Sequence, residues 1–220
     1  MFFPLFLPPV WLVPVIYVLL GGLGALIVSV LISSFLPGDA ASIAILGSQG
    51  AGKSTLWQQL QGILTDESYH PTLAEENINQ FTINYDGKKK VIEKSKDFSG
   101  SHDVVKDYGE IIKEGTFIYY LVDITTLEAK KRETRARLKK IGEIIEKKKL
   151  KDKVGLRLVA THFKEYIKNN PDKDINNARA ELMSVIGLRD LKDVTIEDVV
   201  MVAELTDKKD IRQFFEQIVK

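Results

Sequence analysis

The sequence predicts an α/β domain in which helices cover both faces of a mainly parallel sheet, three layers in all, with one apolar helix in front of it. Three observations predict this architecture. Strand-like apolar runs, such as Thr116 to Asp123 and Gly155 to Ala160, alternate with helical segments. A glycine-rich loop joins the first such run to a helix. A long stretch without charge precedes all of them.

Length and composition allow one domain of ordinary size. The chain has 220 residues, and 45% of them are hydrophobic, which is enough to bury a core. Its 31 basic and 30 acidic residues are unevenly placed, because none precedes Asp39. We expect residues 1–38 to be a membrane anchor and residues 39–220 a globular domain. The sequence has no cysteine, which excludes a disulfide scaffold, a thiolate metal site and cysteine catalysis.

Residues 15–36 carry the prediction of a membrane anchor. They are apolar apart from one tyrosine, three serines and small residues, and as a helix they would extend roughly 33 Å, the thickness of bilayer hydrocarbon. The predicted transmembrane helix spans about residues 12–36. A buried core helix is the alternative, but such helices are usually shorter and show a polar stripe. A cleaved signal peptide is disfavoured, because residues 1–4 lack a basic region.

Charge placement predicts the orientation of this anchor. Every Lys and Arg lies on the C-terminal side of the span, which places the globular domain in the cytosol. Within the span Gly21, Ala25, Ser29 and Ser33 recur every four residues, so a second helix can approach closely. We therefore expect a single-pass membrane protein whose helix can pair with another.

The first strand, Ser42 to Leu46, leads into the loop Gly47 to Ser54, which reads GxxxxGKS and opens a helix. This strand, loop and helix form the context of a phosphate-binding P-loop, in which glycines let backbone N–H groups wrap the phosphates. Lys53 would reach the β- and γ-phosphates, and the Ser54 hydroxyl would ligate Mg²⁺. The predicted nucleotide-binding residues here are Gly47, Gln49, Gly50, Ala51, Gly52, Lys53, Ser54 and Thr55.

Downstream, Tyr69 to Thr72 precedes a predicted hairpin, with strands near Gln80 to Tyr85 and Lys90 to Lys96 joined at Asp86-Gly87. Asp97 to Gly100 then reads DxxG. This order of P-loop, Pro-Thr, hairpin and DxxG resembles the small GTPases, especially the Arf group and the signal-recognition-particle receptor beta subunit, which also carries an N-terminal membrane helix. The resemblance implies a small GTPase-like P-loop NTPase fold.

The resemblance also implies roles for three residues. Thr72 would complete the Mg²⁺ shell when a γ-phosphate is present, Asp97 would hold the metal through water, and the Gly100 N–H would sense the γ-phosphate. These roles agree with physical chemistry, because a hard cation prefers oxygen ligands and a loop ordered by one phosphate collapses when that phosphate leaves. The predicted metal ligands are therefore Ser54, Thr72 and Asp97.

The residues after DxxG bear on hydrolysis. Many of these enzymes carry a water-orienting glutamine at the position of Ser101, and His102 follows it. Serine is too short for that role, so unaided hydrolysis should be slow unless His102 orients the water, as a nearby histidine does in translation-factor GTPases. A solvated loop histidine is the alternative. The catalytic candidates are His102, Ser101 and Thr72.

The strand that ends at Ala160 leads into Thr161-His162-Phe163-Lys164, where the family has its [NT]KxD guanine motif. Thr161 fits, but His162 replaces the lysine and Lys164 replaces the aspartate; Glu165 could substitute if the loop shifted. The Thr-His pair resembles the chloroplast Toc and septin-like GTPases, in which the histidine stacks on the base. We expect GTP rather than ATP, because the order of the switch segments is GTPase-like.

The C-terminal elements complete the domain. The last elements are predicted to be a strand near Val199 to Ala203, a loop at Glu204 to Asp207 and an amphipathic helix from Lys208 to Ile218. They resemble the terminal SAK loop and helix, although the loop letters differ, and the resemblance implies that Thr206 touches the base through its backbone.

Residues 130–153 contain twelve basic and four acidic residues, which predicts a helix with a basic face. Its stripe toward the core is predicted to consist of Leu127, Thr134, Leu138, Ile141 and Ile145. The basic face predicts contact with anionic lipid or an acidic partner, a solvated face being the alternative. Nucleic acid is disfavoured because aromatic residues are not interleaved.

Together these patterns predict a membrane-anchored switch that binds GTP or GDP with Mg²⁺, recruits or releases a protein partner at the cytosolic face, and hydrolyses GTP slowly. The alternative is a receptor or scaffold subunit of a membrane complex that holds its nucleotide without hydrolysis. An ATPase that energises transport is disfavoured, because a single span offers no pathway.

Overall fold

The computed structural model describes residues 40–63, 76–99, 105, 107–151, 153–186 and 200–219. In these residues a mostly parallel six-stranded sheet is packed with helices, so the predicted mixed α/β fold is confirmed and fits a three-layer domain. The predicted transmembrane helix and its small-residue stripe lie outside this part of the chain. Within it, no helix is both long enough and apolar enough to cross a membrane.

The described residues form eight strands and six helices. The strands are β1 (Ala40–Gly47), β2 (Glu76–Ile78), β3 (Phe81–Tyr85), β4 (Lys88–Ile92), β5 (Ser95–Asp97), β6 (Thr116–Asp123), β7 (Gly155–Thr161) and β8 (Val200–Val202). The helices are α1 (Lys53–Leu60), α2 (Tyr108–Ile111), α3 (Lys131–Lys147), α4 (Phe163–Asn169), α5 (Ile175–Ile186) and α6 (Lys208–Val219). The strand, loop and helix around the phosphate loop and the C-terminal amphipathic helix are confirmed.

The sheet has the order β3-β4-β1-β6-β7-β8. β3 and β4 are antiparallel and meet at the predicted Asp86-Gly87 turn, whereas β4, β6, β7 and β8 continue the sheet in parallel pairings. The chain leaves β1 toward one side of the sheet and later enters β6 on the other. In open α/β sheets ligands bind outside the carboxyl ends of the strands at such a switch point. The site is therefore expected beyond the ends of β1, β6 and β7.

One predicted strand was wrong in extent. The second hairpin strand was expected to run to Lys96, but β4 ends at Ile92 and Ser95–Asp97 forms a separate strand that pairs antiparallel with β2. The reason lies in the bonds to β1: the Glu93 N–H still donates to the Ala41 carbonyl, and the Ser95 hydroxyl then donates to the Ile43 carbonyl at 2.9 Å. The hydrogen bond from the Ser95 side chain thus takes the place of a backbone hydrogen bond between neighbouring strands, so β5 can turn toward the phosphate loop.

Alternation along β1 divides the core between the two faces of the sheet. Ala44 and Leu46 pack on one face with α3 and α5. Ile43 and Ile45 pack on the other face with α1 and α6. The apolar stripe predicted for the basic segment is also confirmed, since these side chains are buried: Leu127, Thr134, Leu138, Ile141 and Ile145. Helix α3 therefore has one fixed face toward the sheet.

Candidate nucleotide site

The phosphate loop, Gly47 to Ser54, joins β1 to α1 in a shape that needs glycine at two positions. Gly52 has φ of 87°, and a Cβ there would lie 2.5 Å from Leu205 Cδ1. A Cβ on Gly47 would lie 2.3 Å from the Leu121 carbonyl oxygen. The first contact places the loop after β8 against the phosphate loop, and the second places β6 against it. The glycines are thus required by close approach as well as by backbone conformation.

Lys53 is held inside this loop. Its side chain is 6% exposed, and Nζ donates to the Ser48 carbonyl at 3.1 Å. Burial lowers the pKa of Lys53 from 10.5 to about 8. The Asp97 carboxylate acts against this shift, whereas the positive charges of Arg137 and Lys130 reinforce it. The loop therefore keeps an ammonium in a place where an anion would stabilise its charge.

Asp97 and Ser54 provide a pair of oxygen ligands next to this lysine. Asp97 ends β5 and is 3% exposed; burial raises its pKa, while a hydrogen bond with the Ser54 side chain and the charge of Lys53 lower it. Its Oδ1 has no hydrogen-bond partner among the described residues. A hydroxyl and a carboxylate with one buried, unpartnered oxygen suit Mg²⁺, which binds through one or two protein groups plus phosphates.

Four predicted site residues cannot be placed against this geometry. They lie outside the described part of the chain and are Thr72, Gly100, Ser101 and His102. Their assigned roles in metal binding, phosphate sensing and hydrolysis stay predictions.

A buried network that the sequence patterns did not predict holds the start of the loop. Arg137, on α3, is 1% exposed; its Nε donates to Glu133 Oε1 at 2.9 Å and its Nη1 to the Tyr108 hydroxyl at 3.0 Å. The backbone of Gly47 lies close to that hydroxyl and acts to lower its pKa, which burial raises. The bond between Tyr108 and Arg137 thereby joins helices α2 and α3 beside the first residue of the loop. The burial of Arg137 could have been predicted from its position in the sequence, because it lies within the buried stripe between Thr134 and Leu138.

Helix α3 brings a second cation to the loop. Lys130 is the N-cap residue of α3, and its Nζ donates to the Gln49 carbonyl at 2.9 Å. The other basic residues of this helix that are exposed are Arg132, Arg135, Lys139, Lys140 and Lys147. The predicted basic surface therefore exists, but Lys130 and Arg137 are directed toward the phosphate loop instead. Sequence spacing alone did not separate these two from the exposed set.

At the other end of the site, Thr161 connects the predicted base-binding strand to the phosphate loop. It ends β7 and is 1% exposed, with Oγ1 3.1 Å from the Ala51 carbonyl oxygen and 3.3 Å from that of Val122. His162 follows in the left-handed conformation, with φ of 59°, and its Nδ1 lies 3.1 Å from Thr161 Oγ1. A non-glycine residue in this region is uncommon and suggests a local role. The structure thus brings Thr161 and His162 next to the loop.

A carboxylate that contacts the guanine-type motif comes from Glu204 and not from Glu165, the substitute considered from the sequence. Lys164 is exposed, with its Nζ 3.6 Å from Asp207 Oδ2, and Glu165 is exposed on α4. The backbone N–H of Lys164 donates to Glu204 Oε2 at 3.2 Å, and the Thr206 hydroxyl donates to Glu204 Oε1 at 3.3 Å. Glu204 therefore presents a carboxylate held by one hydrogen bond on each oxygen. Its signal in the sequence was an acid at the end of the last parallel strand.

No protein-family model matches the sequence, and none of the curated proteins matches it either. A function therefore has to be argued from the site itself. The phosphate loop offers backbone N–H donors and the buried ammonium of Lys53. Beside them lie the Ser54 hydroxyl and the Asp97 carboxylate, and the loop after β8 adds the Glu204 carboxylate. These groups suit a polyphosphate with Mg²⁺ at one end and a hydrogen-bonding base at the other.

Proposed function

We propose that this protein is a membrane-anchored, small GTPase-like switch that binds GTP or GDP with Mg²⁺ and recruits or releases a protein partner at the cytosolic face. One observation carries the proposal: buried Lys53 lies beside the Ser54–Asp97 pair in a glycine-rich loop between a strand and a helix. The uncharged residues 15–36 carry the membrane part, and their length matches a bilayer.

The phosphates would be held mainly by the loop. Backbone N–H groups from Gly50 to Ser54 and the N-terminus of α1 favour an anion there. Lys53 would exchange its bond to the Ser48 carbonyl for phosphate oxygens, which would recover the charge stabilisation that burial removes. Ser54 and Asp97 would hold Mg²⁺, which neutralises phosphate charge. The protein residues then fix the orientation of the phosphate chain.

Base selection would come from Glu204 and His162. Guanine presents two N–H donors, on N1 and N2, along one edge, and a carboxylate can accept both. Glu204 is already oriented by one bond on each oxygen, which leaves a lone pair on each for the base. Adenine has no matching pair of donors, so GTP is favoured over ATP. The His162 ring, 37% exposed, is available to stack on the base.

Hydrolysis of GTP to GDP and phosphate would be slow, because Ser101 occupies the position of the water-orienting glutamine. The same residue favours a second candidate, a receptor or scaffold subunit that keeps its nucleotide and never hydrolyses it. If His102 orients water, the switch is favoured. The two candidates share the binding site and differ only in turnover.

Calorimetric titration of the full chain in detergent with GTP, GDP and ATP, each with Mg²⁺, tests the proposal. GTP and GDP should bind, and ATP should bind at least about tenfold more weakly, a difference of ~1.4 kcal/mol. Lys53→Ala should abolish binding, whereas Lys139→Ala, which removes an exposed charge from α3, should not. Unchanged binding by Lys53→Ala would contradict the phosphate site, and ATP preference would contradict the base assignment.

Phosphate release from the same samples separates the two candidates. Slow release that a His102→Ala change reduces further supports the switch. Tight GTP binding without any release over many hours supports the scaffold subunit.

A further inference from the structure

We propose that Lys130 binds the terminal phosphate of the nucleotide, as a second lysine beside Lys53, and thereby makes the site distinguish a triphosphate from a diphosphate. This inference rests on the proposed function, since it concerns the same bound nucleotide. It starts from a contact between distant parts of the chain: Lys130 Nζ donates to the Gln49 carbonyl, in the middle of the phosphate loop, at 2.9 Å.

The contact leaves most of the bonding capacity of Lys130 unused. An ammonium carries three N–H donors. Among the described residues, the Gln49 carbonyl is the one acceptor within hydrogen-bond distance of this group. Two donors are therefore available to phosphate oxygens while the bond to Gln49 keeps the side chain at the loop.

The electrostatic surroundings of Lys130 favour an anion. Lys130 is the N-cap residue of α3, where the helix dipole disfavours a positive charge. The positive charges of Lys130 and Arg137 both repel that of Lys53 and lower the pKa of Lys53. Arg137 is paired with Glu133 and Lys53 is close to Asp97, whereas no described carboxylate pairs with Lys130. Three cations thus surround one loop, and a polyphosphate would relieve their repulsion.

The same arrangement indicates which phosphate Lys130 contacts. Lys53 reaches toward the β- and γ-phosphates in a loop of this kind, and the charge of Lys130 acts on Lys53. Thr161 and His162, at the base end, reach the loop from a different strand. In a loop of this kind the backbone N–H groups cradle the α- and β-phosphates, so the terminal phosphate would be the one open to a side chain from α3. A diphosphate lacks this group and would not make the contact.

The experiment compares affinities for GTPγS and GDP, each with Mg²⁺, by calorimetry on the full chain in detergent. Lys130→Ala should weaken GTPγS binding about tenfold and GDP binding less than about twofold. Lys130→Gln keeps a donor for the Gln49 carbonyl but removes the charge, and it should behave like Lys130→Ala. Lys130→Arg should bind like wild type. Lys139→Ala, on the exposed side of α3, controls for loss of a distant charge.

A merely structural Lys130 would weaken both nucleotides equally and would be rescued by glutamine; either result overturns the inference. An equal effect of Lys139→Ala would also overturn it, because the loss would then reflect general charge. If wild type binds both nucleotides and Lys130→Ala changes neither affinity, this inference fails and the proposed function stands. If wild type binds neither nucleotide, the proposed function fails and this inference with it. Melting curves of each variant show that it is folded.

Discussion

Lys53→Met should stabilise the nucleotide-free protein while it removes nucleotide binding. The side chain is 6% exposed, and burial lowers its pKa from 10.5 to about 8. The difference, about 2.5 in pKa, corresponds to about 3 kcal/mol at ~1.4 kcal/mol for each pKa unit. Loss of the bond from Nζ to the Ser48 carbonyl would cost about 1 kcal/mol. The variant should therefore be more stable than wild type by about 2 kcal/mol at neutral pH.

The pH dependence of this difference follows from where each state releases its proton. Above about pH 8 the native Lys53 loses its proton, whereas the unfolded chain keeps it until about pH 10.5. The unfolded state then binds more protons, so the contribution of Lys53 to wild-type stability rises with pH in this window. The advantage of Lys53→Met should accordingly shrink and nearly vanish by about pH 9.5.

The stability difference between Lys53→Met and wild type can be measured by urea denaturation of the nucleotide-free full chain in detergent. Unfolding is followed by circular dichroism near pH 7 and near pH 9.5. Lys139→Met is the matched control, because Lys139 is exposed on α3 and its loss should change stability by less than about 0.5 kcal/mol. A Lys53→Met protein that is less stable than wild type at pH 7 would refute the reasoning. So would a stability difference that does not change with pH.

Three further changes test other parts of the site. Thr161→Val removes the hydroxyl beside two buried carbonyls and should destabilise the protein by about 1–2 kcal/mol in urea denaturation, whereas Thr82→Val, on the exposed edge of β3, should cost less than about 0.5 kcal/mol. Gly52→Ala should lower the unfolding free energy more than Gly62→Ala by about 1–3 kcal/mol, because both have positive φ but only Gly52 meets another side chain; equal losses would contradict the packing argument. Glu204→Gln presents an N–H donor to the base, so titrations should show weaker GTP and stronger xanthosine triphosphate binding, and an unchanged ratio would exclude Glu204 from base selection.

Local patterns predicted the parts of the fold that depend on neighbouring residues. The loop Gly47 to Ser54 and the turn at Asp86-Gly87 were predictable because glycine has to adopt positive φ there. The apolar stripe of α3 was predictable because its spacing fixes which face is buried. β5 was not predictable as a separate strand, since it depends on the Ser95 hydroxyl reaching the Ile43 carbonyl on β1.

The parts of the site that were missed depend on contacts over long sequence distances. Lys130 and Gln49 are 81 residues apart, and Glu204 and Lys164 are 40 apart. Composition placed Lys130 in a basic segment, but it could not show that this lysine points to the loop and Lys139 to solvent. The replacement of the motif aspartate by Lys164 was visible in the sequence, yet the carboxylate nearby comes from another strand end. Only the sheet order brings those ends together.

Tyr108 joins three segments that differ widely in sequence position. Its hydroxyl accepts a bond from Arg137, the backbone of Gly47 lies close to that hydroxyl, and its ring packs on Phe98 with centroids 5.5 Å apart. A change to phenylalanine would remove the acceptor of one N–H group of a buried guanidinium, which would keep its bond to Glu133. Substitutions at Tyr108, Arg137 and Glu133 should therefore be coupled during evolution, because a change at one of them is costly unless the others change with it. Related sequences should either keep all three residues or replace them together.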